Sequence, residues 1–330
     1  MPIQPDTRHP FDVVIAAPNA AIDSYYTVSS LTVGSVNRAS EVLHTAGGKG
    51  NNMARAAVML GGRALSIGII GGKGGQFIAG ELTHEGIAHD MIWTDQETRR
   101  CSTILVPTIR QTTVILQPGG PVGPRAREDF AARTLARAPQ APFLALVGSL
   151  PPDFPPDHYA RIVTALKGSA TRVCVDAADE TLYLAAMAGA AILKVNLEEF
   201  RSAFASDGPW DWARAAGVFA DFQKRGMQLL IITDGPNGAY VFADSTAPFR
   251  VQTRVETWLS TAGAGDTFLA GLLVALSRGD RLEEAVRYAS AAAAANLQHA
   301  TCGFLNTGDV AHYLRHTSLE PFSVGATTHE

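Results

Sequence analysis

Short apolar runs alternate with amphipathic stretches along most of the chain. The apolar runs are rich in β-branched residues and predict buried strands at 11–17, 65–71, 143–151, 172–178, 191–196 and 228–235. Amphipathic stretches such as NNMARAAVMLGG (51–62) and DWARAAGVFADFQKRG (211–226) predict helices between them. Strands that are apolar throughout and separated by helices are typical of a parallel sheet covered on both faces. The pattern therefore predicts an α/β fold with a mainly parallel central sheet.

Two regions interrupt this rhythm, and both alternate polar with apolar residues. They span 24–45 and 93–117, and CSTILVPTIRQTTVILQPGG (101–120) predicts a hairpin with one wet face. We interpret both as a small antiparallel β lid, because ligands of open α/β sheets bind at the carboxyl ends of the strands. The core domain is then predicted at 11–23, 46–92 and 118–317, with tails before about residue 10 and after about residue 317.

Composition narrows the class of protein. The chain has 330 residues, of which 46% are hydrophobic and 18% charged, as in an ordinary globular protein. A net charge of −4 argues against nucleic-acid binding. The three cysteines (Cys101, Cys174 and Cys302) form no CxxC motif, so we expect reduced thiols in a cytoplasmic protein. We find no signal peptide, and 288–308 is predicted as a buried helix and loop instead of a membrane span.

The stretch TAGAGDTFLAGLLVAL (261–276) carries the sharpest chemical question. Asp266 stands between very small residues and an apolar helical run. On this stretch alone, helix capping by Asp266 is the favoured interpretation. The alternative is that Gly263, Ala264 and Gly265 leave backbone N–H groups free for an anion, with Asp266 as a base beside it. One residue could also serve as both cap and base.

Two glycine clusters suggest phosphate binding but match neither common template. TAGGKGNN (45–52) and GIIGGKGGQF (68–77) lack the Ser or Thr of a P-loop and the spacing of a dinucleotide-binding loop. In the first, Gly48 allows close approach of a ligand, Lys49 supplies a cation and Asn52 an amide, although GGKG alone is typical of a flexible turn.

Three further polar groups each have two interpretations. Asn196 and Glu199 of NLEE are a metal–phosphate site or a helix cap with first-turn acids. Asp23 caps a turn or holds substrate hydroxyls, and Arg99 is a surface charge or an anion clamp at the lid.

Taken together and in this order, the motifs resemble those of the ribokinase-like (PfkB) carbohydrate kinases. The similarity is strongest to the branch that contains 1-phosphofructokinase and tagatose-6-phosphate kinase. It rests on NAAID (19–23), GGKGNNMARA (47–56), GSLPPDFPPDHY (148–159), KVNLEEF (194–200) and STAGAGDTFLAG (260–271), and it runs from about residue 13 to 314. Ala20 and Val195 replace prolines of that branch, and Asp234 stands where the family often has Leu.

The resemblance implies a three-layer α/β/α sandwich with a small β lid and transfer of the γ-phosphoryl group of ATP to a sugar hydroxymethyl group. Asp266 would be the general base, and the backbone N–H groups of 262–265 would form the anion hole. The resemblance further implies that Asn196 and Glu199 order Mg²⁺ and that the sugar contacts Asp23, Gly48, Lys49 and Asn52. Arg99 would contact a phosphate already on the acceptor, and the nucleotide would lie against Thr233, Gly235 and Gly238.

Three functional hypotheses remain at this stage. The first is a kinase of a sugar phosphate such as fructose 1-phosphate, fructose 6-phosphate or tagatose 6-phosphate. The second is a kinase of an unphosphorylated sugar or nucleoside, and the third is a sugar-sensing protein without turnover. We also predict a homodimer formed through the lid, because unpaired sheet edges gain from mutual cover. Activation by a monovalent cation such as K⁺ is implied by the resemblance alone.

Overall fold

The computed structural model describes residues 9–204 and 211–324 of the chain. Its strands are β1 (Val13–Ala17), β2 (Ala21–Thr27), β3 (Glu41–Gly47), β4 (Ala64–Gly71), β5 (Ala88–His89), β6 (Ile92–Thr94), β7 (Arg99–Val106), β8 (Gln111–Leu116), β9 (Phe143–Val147), β10 (Arg172–Asp176), β11 (Ile192–Asn196), β12 (Leu229–Thr233), β13 (Ala239–Ala243), β14 (Thr246–Thr253) and β15 (Thr317–Pro321). Its helices are α1 (Lys49–Met59), α2 (Gly72–His84), α3 (Pro124–Arg137), α4 (His158–Ala165), α5 (Asp179–Met187), α6 (Leu197–Phe204), α7 (Trp212–Gln223), α8 (Ala264–Ser277), α9 (Leu282–Asn296) and α10 (Thr307–Leu314).

The central sheet is mainly parallel, as predicted. Its strands lie in the order β15-β14-β13-β12-β11-β10-β9-β1-β4-β5, and β6 also pairs with β4. The strands from β12 through β4 run parallel to one another, whereas β13, β14 and β15 are antiparallel additions at one side.

Two apolar layers cover the sheet, which explains why its central strands are apolar at most positions. In β1, Val13 and Ile15 pack into the layer that contains α1, α2, α8 and α9, while Val14 and Ala16 pack into the layer of α3, α4, α5 and α7. Successive side chains of a strand point to opposite faces, so a strand between two helical layers needs apolar residues at both parities. The fold is therefore the predicted three-layer α/β/α sandwich.

A second sheet of four strands, in the order β3-β2-β7-β8, forms the lid. Its outer pairs are antiparallel, but the central pair β2 and β7 is parallel. β2 begins at Ala21 and β3 ends at Gly47, so the lid strands extend into segments that the sequence assigned to the core. The predicted boundaries between the core and lid domains stay a prediction.

The C-terminal segment differs from the sequence-based expectation. A tail was predicted after about residue 317, but Thr317–Pro321 forms β15 and pairs with β14. The pattern TSLEP alternates weakly and ends in proline, and a short edge strand needs only one apolar face. The predicted N-terminal tail, for residues 1–8, lies outside the described residues.

Among the described residues, no helix combines the length and apolar character that crossing a bilayer requires.

Candidate active site

A cavity of about 650 Å³ opens between the lid and the carboxyl ends of the central strands. It is lined by sequence-predicted residues from distant parts of the chain, namely Asp23, Gly48, Lys49, Asn52, Arg99, Glu199 and Asp266. Parallel strands end at one edge of the sheet, so the loops that follow them converge there. The predicted residues that contact the sugar and the predicted base therefore share one cavity.

The capping interpretation of Asp266 is wrong. The N-cap of α8 is Gly263, whose φ of +81° is left-handed and which makes no side-chain cap, and Asp266 lies in the first turn. A glycine is required here for a second reason, since a Cβ on Gly263 would lie 2.7 Å from Cys302 Cα. The carboxylate of Asp266 thus lies on the cavity wall, next to a helix start whose backbone N–H groups lack intrahelical partners.

Burial raises the pKa of the Asp266 carboxyl group toward 7. Desolvation raises its pKa to about 7, opposed by Lys49 and Lys194 and reinforced by Asp176. A hydrogen bond from Asn52 also favours the charged carboxylate. A carboxylate with such a pKa is suited to accept a proton near pH 7.

A buried ion cluster lies beneath this carboxylate and was missed by the sequence analysis. The Asp176 carboxylate, 1% exposed, accepts from Lys49 Nζ through Oδ1 and from Lys194 Nζ at 2.9 Å through Oδ2. Burial favours the neutral acid, but the two ammonium groups outweigh it and lower the pKa of Asp176. A lysine inside the apolar run AILKVN and an aspartate inside the apolar run RVCVDAA were the available signals.

The cluster also fixes charge around the start of α8. A Cβ on Gly265 would lie 2.7 Å from Lys194 Nζ, so this ammonium group lies against the glycine loop. Burial alone would lower the pKa of Lys49, but Asp176, Glu199 and Asp266 outweigh it and raise that pKa. Lys49 is therefore held in its charged form at the cavity, and the Lys194 ammonium group lies beside the start of α8.

The amide of Asn52 links Asp23 at the cavity to the buried Arg55. Its Nδ2 donates to Asp23 Oδ2 at 3.3 Å, and its Oδ1 accepts from Arg55 Nη1 at 3.1 Å. Because arginine can only donate, the second contact fixes which end of the amide faces Asp23. Burial raises the pKa of Asp23, while the Asn52 and Gly48 hydrogen bonds oppose that rise.

The guanidinium group of Arg99 reaches the cavity but is already bonded. Its Nη1 donates to the Gln117 carbonyl at 2.7 Å and its Nη2 to the Asn19 carbonyl at 2.8 Å. Its buried Nε has no hydrogen-bond partner among the described residues. Three of the five N–H donors of Arg99, including the one on the buried Nε, are therefore without a partner among the described residues.

Asn196 and Glu199 were predicted either to cap a helix or to bind a metal ion. Asn196 Oδ1 accepts from the Glu199 N–H at 2.7 Å, and Glu199 Oε2 accepts from the Asn196 N–H at 3.0 Å, which is the pattern of a capping box. Within the described residues no cluster of three or more His, Cys, Asp or Glu side chains could hold a metal ion. One carboxylate near Lys49 and Asp266 still fits Mg²⁺, because this ion keeps several waters and takes most other ligands from phosphates.

The predicted nucleotide residues lie beyond Asn196. Thr233 pairs with Asn196 across β11 and β12, and its Oγ1 donates to the Val195 carbonyl at 3.2 Å. Gly235 and Gly238 begin and follow a short 3₁₀ turn, with φ of +49° and +88°. These three residues do not line the cavity of Asp266.

Comparison with solved structures places the fold among sugar kinases. The structure of phosphofructokinase-2 from Escherichia coli in complex with potassium is similar with a TM-score of 0.83 and 22% identity, covering 92% of this chain and 97% of that chain. A Thermotoga maritima protein described as a possible 1-phosphofructokinase gives 0.84 and 18%, covering 94% and 100%. The Arabidopsis thaliana ribokinase complexed with ribose and ATP gives 0.69 and 22%, covering 92% and 98%.

The family assignment rests on the sequence itself. The model of the pfkB family carbohydrate kinases matches residues 14–307, which is most of the chain. The resemblance carried by the glycine-rich motifs is thereby confirmed. The chain belongs to the pfkB family of carbohydrate kinases, enzymes that transfer a phosphoryl group to a sugar hydroxyl.

Proposed function

We propose that the protein transfers the γ-phosphoryl group of ATP to a primary hydroxyl of a sugar phosphate, with Asp266 as the general base. The acceptor class is that of fructose 1-phosphate, fructose 6-phosphate and tagatose 6-phosphate. The observation that carries the proposal is the Asp266 carboxylate, with a pKa raised to about 7, in a cavity that also holds Lys49 and Asn52. The phosphofructokinases among the structural neighbours and Arg99 at the cavity support the phosphorylated acceptor.

The catalytic step needs a general base and hydrogen-bond donors that stabilise the negative charge of the transferred phosphoryl group. A primary hydroxyl is a weak nucleophile, so a carboxylate within hydrogen-bond reach must receive its proton as the new P–O bond forms. The charge on the transferred group is then stabilised by the backbone N–H groups of Gly263, Ala264 and Gly265 and by the nearby Lys194. The Ala262 N–H already donates to Ser260 Oγ at 3.2 Å, and we leave it out of this anion hole.

The remaining groups bind the two substrates. Asp23, Gly48, Lys49 and Asn52 would hold the sugar, and Thr233, Gly235 and Gly238 would line the nucleotide site. Asn196 and Glu199 would order Mg²⁺ through water; the ion supplies charge neutralisation at the ATP phosphates. K⁺ activation stays a prediction, as does a cytoplasmic location.

The second candidate is a kinase of an unphosphorylated sugar or nucleoside. It is favoured because the two cations at the cavity, Arg99 and Lys49, already have partners within the protein. Arg99 donates hydrogen bonds from two of its nitrogens to backbone carbonyls. Lys49 forms ion pairs with both Asp176 and Glu199. The third hypothesis, a sugar sensor without turnover, is disfavoured by the family assignment.

The first prediction concerns the base. Asp266→Asn should lower kcat by about 10³-fold because the amide cannot accept the hydroxyl proton. The measurement is ADP release in a coupled assay over fructose 1-phosphate, fructose 6-phosphate, tagatose 6-phosphate, fructose and ribose. Asp221→Asn is the matched control, since Asp221 is exposed and pairs with the exposed Lys224 at 3.0 Å. Turnover by Asp266→Asn at the parental rate would contradict the role.

The second prediction concerns pH. Because the base acts only when deprotonated, kcat/KM should fall tenfold per pH unit below pH about 7 and reach a plateau above it. The profile is measured with saturating Mg²⁺ and the best acceptor of the panel. If kcat/KM instead began to fall only at pH ~4, where an unperturbed aspartate titrates, the burial of Asp266 in the working enzyme would be contradicted.

The third prediction separates the two acceptor classes. Arg99→Ala should raise the KM for a ketose phosphate at least about tenfold by removing a charge-assisted hydrogen bond, with the KM for ATP unchanged. Arg100→Ala is the control, since its exposed side chain points to the opposite face of β7. An unchanged KM for the phosphosugar would favour the unphosphorylated acceptor.

The fourth prediction concerns assembly. The lid ends in the edge strands β3 and β8 and exposes Val42, Leu43, Val114, Ile115 and Leu116. Open edges with exposed apolar side chains gain from mutual cover, so we propose a homodimer through the lid. Sedimentation at micromolar concentration should give twice the mass of one chain. A monomeric mass would exclude this assembly.

A further inference from the structure

A small apolar cluster joins the lid to the core behind the cavity. Its buried members are Tyr25 of β2, Leu105 of β7 and Cys302, and Ala262 and Ala300 pack against them. Two of these residues belong to lid strands, and Ala262 directly precedes Gly263. We call these five residues the junction cluster. It brings the lid, the 300–303 loop and the glycine loop of α8 into contact.

The backbone of Cys302 is held from two sides within this cluster. Its N–H donates to the Tyr25 hydroxyl at 2.9 Å, and its carbonyl accepts from Arg55 Nη1 at 3.3 Å. The Tyr25 hydroxyl is also hydrogen-bonded to the Cys302 thiol. Tyr25 is 1% exposed, so water cannot replace these contacts.

On the other side of Cys302, the guanidinium group of Arg55 on α1 is fully hydrogen-bonded. Arg55 is 2% exposed and directs its five N–H donors at Glu85, Asn52, Ala46 and Cys302. A guanidinium group has five donors, so none is left over. Of the two groups that hold the Cys302 backbone, Arg55 lies on the core helix α1, whereas the Tyr25 hydroxyl is carried by the lid strand β2.

Cys302 in turn limits where the glycine loop can lie. A Cβ added to Gly263 would come within 2.7 Å of both Cys302 Cα and Cβ. On its other side, a Cβ on Gly303 would lie 2.3 Å from the Asn52 carbonyl oxygen. The 302–303 segment is thus closely packed between Asn52 and Gly263. A shift of Cys302 must therefore move Asn52 or Gly263.

We propose that Tyr25 is a positioning residue: its hydroxyl, carried by the lid, holds Cys302 against Gly263 and so sets the geometry of the anion hole. The proposal rests on the proposed function, in which the N–H groups of 263–265 receive the transferred phosphoryl group. Lid seating and anion-hole geometry are then coupled through one hydrogen bond between residues 277 positions apart. Tyr25 does not line the cavity, so the hydroxyl acts on the rate and not on substrate binding.

The test is Tyr25→Phe, which keeps the ring in the junction cluster and removes the hydroxyl. We expect kcat to fall about tenfold, the scale of one buried hydrogen bond, while KM for sugar and for ATP changes less than twofold. Tyr26→Phe is the matched control: Tyr26 follows on the same strand, points to the other face and is half-buried. It should retain the parental kcat.

A binding measurement gives a second readout. ADP with aluminium fluoride and the acceptor sugar mimics the transferring phosphoryl group, so its affinity should fall about tenfold in Tyr25→Phe, while ADP alone binds as before. An unchanged kcat with a lower melting temperature, or a Tyr25→Phe protein that does not fold, would assign the hydroxyl to stability alone and overturn the proposal. Equal losses in ADP and ADP–aluminium fluoride affinity would also overturn it.

The two levels of the argument fail separately. If Asp266→Asn retains the parental rate, the proposed function fails whatever Tyr25→Phe does. If Asp266→Asn is inactive and Tyr25→Phe has the parental kcat, only the positioning role is lost.

Discussion

The arrangement of the site depends on one buried carboxylate. Asp176 pairs with Lys49 and Lys194 at once, and both lysines lie next to groups that face the cavity. Removing a partner from such a buried cluster leaves an uncompensated charge, which typically costs about 3–5 kcal/mol. The cluster thereby keeps the Lys49 and Lys194 ammonium groups close to Asp266, with Lys194 against Gly265. Its net effect on Asp266 is to limit the rise in pKa that burial alone would cause.

The sheet and its helices were predictable because they depend on local pattern. The apolar runs correspond to β1, β4, β9, β10, β11 and β12, and the predicted helices 51–62 and 211–226 correspond to α1 and α7. The strands β13, β14 and β15 were missed: β14 and the edge strand β15 are partly exposed and carry a weak periodic signal, and β13 is a mostly buried run of only five residues. The parallel pairing of β2 with β7 also has no local signal, because it joins segments far apart in the chain.

The candidate site was predicted in part. Motifs bearing glycines and polar groups identified Asp23, Lys49, Asn52 and Asp266, which the structure brings to one cavity. The capping role of Asp266 was wrong because a left-handed glycine, Gly263, begins the helix instead. Asp176 and Lys194 were missed because a single charge within an apolar run gives no indication of its partner. Contacts such as that of Tyr25 with Cys302 depend wholly on the tertiary fold.

The saturated guanidinium group of Arg55 has a consequence for sequence variation at this position. Lysine is the usual conservative replacement for arginine, but its ammonium group has three donors where the site has acceptors for five. At least two oxygen atoms from the Glu85, Asn52, Ala46 and Cys302 groups would then be stranded in a dry interior, at about 1–3 kcal/mol each. Homologues that keep this interior should therefore tolerate no exchange of arginine for lysine here. A variant that does carry one would need compensating changes in the acceptors around it.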